Sequence, residues 1–187
     1  MTGHTGAASA EGIAPVLVIQ NSESSSLGRA TEWLKDSGCD PVIIRAYAGE
    51  PLPDSLESWS GLIMLGGAPL PSDDDAAPWF PRERELARQA VDIELPILGV
   101  CLGGQMLAYA CGGEVTRRAH PAEHGMTDIF RVGTFSNDAL FSQVASKFPM
   151  IENHVDSITK LPHTAVLLAR SERVPVQAFR IGSCAWG

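Results

Sequence analysis

The chain has 187 residues, 44% of them hydrophobic and 19% charged, with a net charge of −8. This is enough for one domain with a substantial core, and the composition excludes a disordered chain. The acidic balance and the lack of a basic stripe argue against nucleic acid or a membrane surface as a partner, and the apolar stretches are strand-length rather than membrane-spanning.

Residues 1–14 are small and polar, with no basic start and no apolar run. They predict a flexible leader rather than a secretion signal, followed by one domain over 15–187 and a cytoplasmic location. Val16–Gln20 reads as a buried strand. A helix is expected from Gly28 to Ser37, with Ala30, Trp33 and Leu34 facing inward. Pro41–Tyr47 and Gly61–Leu65 read as further strands, the second ending on the pair Gly66-Gly67. Pro81 to Ile93 is a charged helix with Leu86, Ala90 and Ile93 inward, and Pro96–Val100 is a fourth strand. Leu102–Cys111 is a short apolar helix stopped by Gly112-Gly113. Beyond it, Val115–Arg118, Asp128–Val132, Val166–Ala169 and Val174–Arg180 read as shorter strands, with a helix at about 138–146.

Strands alternating with helices imply an α/β fold. The expected architecture is a flavodoxin/Rossmann-like, mostly parallel sheet with helices on both faces and an antiparallel C-terminal extension. Such sheets carry their sites at the C-terminal ends of their strands, and two ends stand out: Gly66-Gly67 and Cys101. The other cysteines, Cys39, Cys111 and Cys184, form no C-x-x-C pair with it or with each other. Neither a structural zinc nor a redox dithiol is expected, and the thiols read as reduced.

Cys101 stands at the corner between a predicted strand and a predicted helix, with Gly99 and Gly103 two residues to either side. Small residues there let the chain turn sharply and push the side chain out above the sheet. The helix N-terminus favours a thiolate, and the Leu102 N–H points to where an oxyanion would form. The plainer reading, a buried cysteine acting as a small apolar residue, suits Cys39 and Cys111 better. Gly66-Gly67 is as readily an ordinary tight turn as a second oxyanion donor.

Gly99-Val-Cys101-Leu-Gly-Gly-Gln105 resembles the nucleophile motif of class I glutamine amidotransferases, and Gly66-Gly67-Ala-Pro69 resembles their oxyanion loop. Asp73–Trp79 is similar to the stand-alone, GMP-synthase-like members. Glu123-His-Gly125, His154-Val-Asp156 with Leu161-Pro162, Val176–Phe179 and Trp186-Gly187 resemble later segments of that family in the same order. The resemblance implies attack by Cys101 on the glutamine side-chain amide, with Gly67 and Leu102 N–H groups stabilising the oxyanion. It further implies a substrate pocket involving Gln105, Glu123 and His154, ammonia release, and hydrolysis of a thioester. L-glutamine or a γ-glutamyl compound would be the substrate, and a synthase domain or subunit could accept the ammonia. No cofactor or metal is implied.

In that family the Trp-Gly strand leads into a Gln-Phe-His-Pro-Glu segment carrying the general base and the glutamate that orients it, whereas this sequence stops at Gly187. The expectation is a product cut from a longer enzyme, impaired in activity and less stable than the full domain. His4 falls in the leader, His120 and His163 adjoin prolines, and His124 and His154 read as hydrogen-bonded or surface groups rather than as a replacement base. Asp73-Asp74-Asp75 reads as a solvated charge run and Arg117-Arg118 as a surface pair. Pro78–Pro81 reads as a rigid helix entry with aromatic packing. A γ-glutamyl conjugate hydrolase on the same fold is the first rival, favoured by a roomier pocket. A non-catalytic binding remnant is the second.

Overall fold

The computed structural model describes residues 14–133 and 138–187. The expected leader lies outside the described residues except for Ala14, whose carbonyl accepts the Ser60 hydroxyl at 2.5 Å.

The first half alternates as expected. β1 (Val16–Gln20) leads to α1 (Ala30–Asp36), then β2 (Pro41–Arg45), β3 (Gly61–Met64), α2 (Phe80–Asp92), β4 (Ile97–Gly99) and α3 (Leu102–Ala110). The second half is all strand: β5 (Glu114–Thr116), β6 (Glu123–Arg131), β7 (Lys147–His154), β8 (Ser157–Lys160), β9 (Ala165–Arg170), β10 (Ala178–Ile181) and β11 (Ala185–Trp186). Nine strands form one sheet in the order β2-β1-β3-β4-β11-β10-β9-β6-β7, and β5 pairs with β8 apart from it. Pairing is parallel from β2 to β11 and antiparallel from β11 to β7.

Side chains alternate across a strand, so β1 supplies both faces. Leu17 and Ile19 join Leu62, Met64, Leu86, Ala90, Met106 and Leu107 in the larger core, under α2 and α3. Val16 and Val18 join Ile63 and Leu65 on the other face, where Leu34 of α1 packs. None of the helices among the described residues is long and apolar enough to cross a membrane.

Four details depart from the sequence reading. Trp33 is 59% exposed, lying under the Arg29 guanidinium at 5.4 Å, because the two-turn α1 reaches the sheet through Leu34. Ile93 is also exposed, since α2 ends one residue earlier and Leu95 takes the core position. The helix expected at about 138–146 is a set of turns over its described residues. Asp138 fixes them by accepting the Leu140 and Phe141 N–H groups at 2.9 and 2.8 Å. The strand expected from Val174 begins only at Ala178, because Ser171 captures the Val174 N–H in a turn.

Candidate active site

β4 runs into α3 through Val100 and Cys101, and Cys101 sits at φ 55°, ψ −114°. That backbone conformation is rare for any residue other than glycine, and the surrounding packing must enforce it. Gly99 and Gly103 allow it. A side chain on Gly99 would meet the Gly103 carbonyl, and one on Gly103 would fall onto the Met64 backbone. The Val100 N–H donates to the Met64 carbonyl at 2.9 Å, which ties the corner to the neighbouring strand.

The backbone N–H groups of Leu102 and Gly67 both favour the ionised Cys101 thiol, and the glycine turn lies against the corner, a Cβ built on Gly66 falling 3.5 Å from Cys101 Cβ. The Gly66-Gly67 segment is packed too tightly for side chains: at Gly66 one would meet Ser25 Oγ at 2.6 Å, and at Gly67 Leu102 Cδ2 at 2.7 Å. The sequence suggested a thiolate favoured by the helix N-terminus, but burial pushes the Cys101 thiol up, and the Glu152 and Asp156 carboxylates add to this. The Leu102 and Gly67 N–H groups act in the opposite direction without reversing the result.

Cys101 opens into a cleft of about 520 Å³, lined also by Ser25, Gln105, Glu152, His154 and Gln177. Gln105 donates from Nε2 to the Asp156 carbonyl at 3.1 Å, which aims its amide along the cleft wall. His154 Nε2 lies 3.3 Å from Glu123 Oε2 and 3.6 Å from Glu152 Oε2. Glu123 is 3% exposed and stands behind His154 rather than in the cleft, accepting the Ser171 hydroxyl at 2.7 Å and the Gln177 amide. Burial raises the Glu152 pKa, His154 lowers it, and Glu123 adds to the rise, leaving it above the ordinary carboxylate value.

The remaining residues singled out in the sequence serve other ends. His124 Nδ1 meets Asn153 Oδ1 at 2.9 Å, outside the cleft, and His120 and His163 lie in connecting segments. Asp74 is clamped by both terminal nitrogens of Arg84, at 2.7 and 2.9 Å, and Asp73 pairs with Arg117 at 2.9 Å. Trp79 packs edge-on against Phe80 and donates to Asn21 Oδ1 at 2.7 Å.

Sequence reasoning missed Glu152, Asn153 and Gln177. The first two belong to β7, an unforeseen strand, and only the cross-strand register with β6 brings them to the site. Pro149 and the polar pair Glu152-Asn153 obscure that strand in the sequence. An edge position tolerates them, because a proline there costs no ladder hydrogen bond.

The family model for glutamine amidotransferase class-I matches residues 18–182. A glutamine-hydrolyzing GMP synthase subunit from Pyrococcus abyssi is 31% identical over 166 residues, covering 88% of this chain and 81% of that protein. A glutamine-hydrolyzing GMP synthase from Aeropyrum pernix is 29% identical over 154 residues, covering 82% of this chain and only 27% of that protein's length. Among solved structures, a glutamine amido transferase from Methylobacillus flagellatus superposes with a TM-score of 0.85 at 34% identity, over 94% of this chain and 68% of the other. A glutamine amidotransferase from Thermotoga maritima gives 0.85 at 28% identity, over 93% and 74%. The matched region holds the strained cysteine corner, the glycine pair packed against it and the cleft onto which Cys101 opens, and on these grounds the chain belongs to the class-I glutamine amidotransferase family.

Proposed function

We propose that the domain is a cytoplasmic, cysteine-dependent amidase acting on the side-chain amide of glutamine. The observation that carries this reading is the strained Cys101 corner, open to a cleft and packed against the Gly66-Gly67 turn, with the Leu102 and Gly67 N–H groups favouring negative charge on its sulfur. The Cys101 thiolate attacks the γ-carbonyl carbon, and the carbonyl oxygen takes the negative charge beside those two donors. The C–N bond then breaks, ammonia leaves with the proton the thiol gave up, and water cleaves the thioester to glutamate and restores the thiol. Gln105 and the β7 wall hold the amino-acid end of the substrate. No cofactor takes part in these steps. The relatives named as glutamine-hydrolyzing GMP synthase subunits support a separate synthase chain that receives the ammonia.

Of the described histidines, His154 is the one that lines the Cys101 cleft, and its Nε2 is turned to Glu123 and Glu152. It is therefore engaged elsewhere and does not serve as the base. Residues 14–187 by themselves therefore hold Cys101 without a histidine base among them and turn glutamine over slowly. A glutaminase assay of the chain and of Cys101→Ala tests the reading. Slow glutamate release that disappears in the variant is expected, and release that survives Cys101→Ala overturns it.

A γ-glutamyl conjugate hydrolase is the second reading. Its support is the size of the cleft and its acidic wall, where Glu152 faces the nucleophile without a lysine or arginine among the lining residues. That surface suits a conjugate whose leaving group is a cationic amine. A higher kcat/KM for a γ-glutamyl diamine than for glutamine would favour it over the first.

A further inference from the structure

Asn21 follows directly on β1 and is 4% exposed. Its amide nitrogen donates to the Leu65 carbonyl at 3.2 Å and to Glu83 Oε1 at 2.9 Å, and its oxygen accepts the Trp79 indole N–H at 2.7 Å. Leu65 stands immediately before the glycine pair. Asn21 also abuts Gly67 itself, since a Cβ built on that glycine would lie 3.4 Å from Asn21 Cβ and 3.6 Å from the Asn21 carbonyl oxygen. One buried side chain therefore grips the segment that carries the Gly67 N–H from two sides.

Glu83 is the unusual member of this group. It is fully buried in α2, and its second carboxyl oxygen, Oε2, has no hydrogen-bond partner among the described residues. A buried ionisable group with an orphan oxygen is costly, and an apolar side chain would be cheaper at this position. What a carboxylate adds is a charge-assisted bond to Asn21, stronger than the bond an uncharged partner would make. The charge acting on Glu83 is that of Arg84, the next residue of α2, and from β1 it faces the uncharged Asn21 amide. The charges acting on the Cys101 thiol are those of Glu152 and Asp156, so the influence of Glu83 passes through Asn21 and not directly through space.

We infer that Asn21 and Glu83 are positioning residues for the oxyanion hole, holding Leu65–Gly67 so that the Gly67 N–H meets the oxygen of the reacting carbonyl. This rests on the reading of Cys101 as an amidase nucleophile. Glu83 ionises at about 7, so its grip on Asn21 tightens across the neutral range. The pair acts on steps that build negative charge on a carbonyl oxygen, and reaches other reactions of the same thiol only through the thiolate fraction, which the Gly67 N–H favours.

The test compares two reactions of Cys101. The first is acylation by the γ-(4-nitrophenyl) ester of L-glutamate, read as a burst of nitrophenolate. That leaving group departs as an anion, so the burst needs no general acid. The second is alkylation by iodoacetamide, a displacement at saturated carbon that forms no oxyanion. Glu83→Gln, Glu83→Ala and Asn21→Ala are each expected to slow the burst about tenfold or more, since loss of a whole oxyanion donor costs about 10²–10³ in rate. Alkylation, expressed per thiolate from the pH profile of each variant, should stay within about twofold of the original chain, a ratio that also controls for fold. The burst rate of the original chain should rise through pH 7 in a step absent from Glu83→Gln, and Asn21→Ala combined with Glu83→Ala should be no slower than Asn21→Ala alone. Equal slowing of both reactions, or a burst unchanged by all three substitutions, overturns the positioning role while leaving Cys101 as the nucleophile. No burst from the original chain overturns the nucleophile reading and the positioning role together.

Discussion

Glu123 and His154 are cross-strand partners in the β6–β7 hairpin, and their side chains meet at 3.3 Å on the face that backs the cleft. The carboxylate also receives Ser171 and Gln177, so one buried residue joins β6, β7 and the turns before β10. Its removal takes the carboxylate from three polar groups, leaving Ser171 only the Val174 carbonyl at 3.5 Å and His154 only the Glu152 carboxylate at 3.6 Å. We expect Glu123→Ala to lower unfolding stability by about 3 kcal/mol, in line with the cost of stripping hydrogen bonds from a charged buried group. Urea denaturation measures this, and a loss below about 1 kcal/mol would mean that the cleft wall does not depend on the carboxylate.

Glu152 opposes ionisation of the nucleophile. Its carboxylate is one of the charges that hold the Cys101 thiol up, so Glu152→Gln should move the thiol pKa down. The rate of iodoacetamide alkylation at pH 7 should then rise by about two- to fivefold, a fraction of a pKa unit expressed as thiolate. A pH profile of alkylation for both proteins reads the shift directly, and an unmoved or upward-shifted profile contradicts the assignment.

Glu83 makes stability fall with pH in a defined window. Burial raises its pKa from the ordinary value of 4.5 to about 7, so between these two values the native chain keeps a proton that the unfolded chain has lost. Stability therefore declines as pH rises through that range, by at most about 3 kcal/mol at 1.36 kcal/mol per unit. Glu83→Gln removes this slope and should melt higher than the original chain at pH 8, while acylating more slowly. Melting temperatures from pH 5 to 8 check the sign, and a variant that melts lower at pH 8 with its slope intact would refute it.

The residues around Cys101 were legible because their chemistry is local. Pro96 to Gln105 spells out a strand, a glycine-flanked corner and a helix, and each step follows from neighbouring residues. Gly67 was legible in position, whereas its close packing against Leu102 and Asn21 came only with the structure. Asn21 and Glu83 were not legible, because the two lie 62 residues apart and neither falls in a recognisable pattern. Glu152 and Asn153 escaped for another reason. β7 holds a proline and polar residues that a central strand would not accept, and only its place at the sheet edge makes them tolerable. Local propensity says nothing about that place.

The two residues of β11 have a consequence for a nascent chain. Ala185 and Trp186 lie between β4 and β10, so the strand that delivers the nucleophile gains its second neighbour only after every other strand of the sheet has been synthesised. Until then the parallel half carries an open edge beside Cys101, and the antiparallel half is not yet joined to it through the sheet. Such an edge recruits other chains, and distant pairings form slowly. The ribosome therefore exposes a half-sheet before a domain, and the yield of soluble protein should depend on chaperones that shield β4 until translation has passed Trp186.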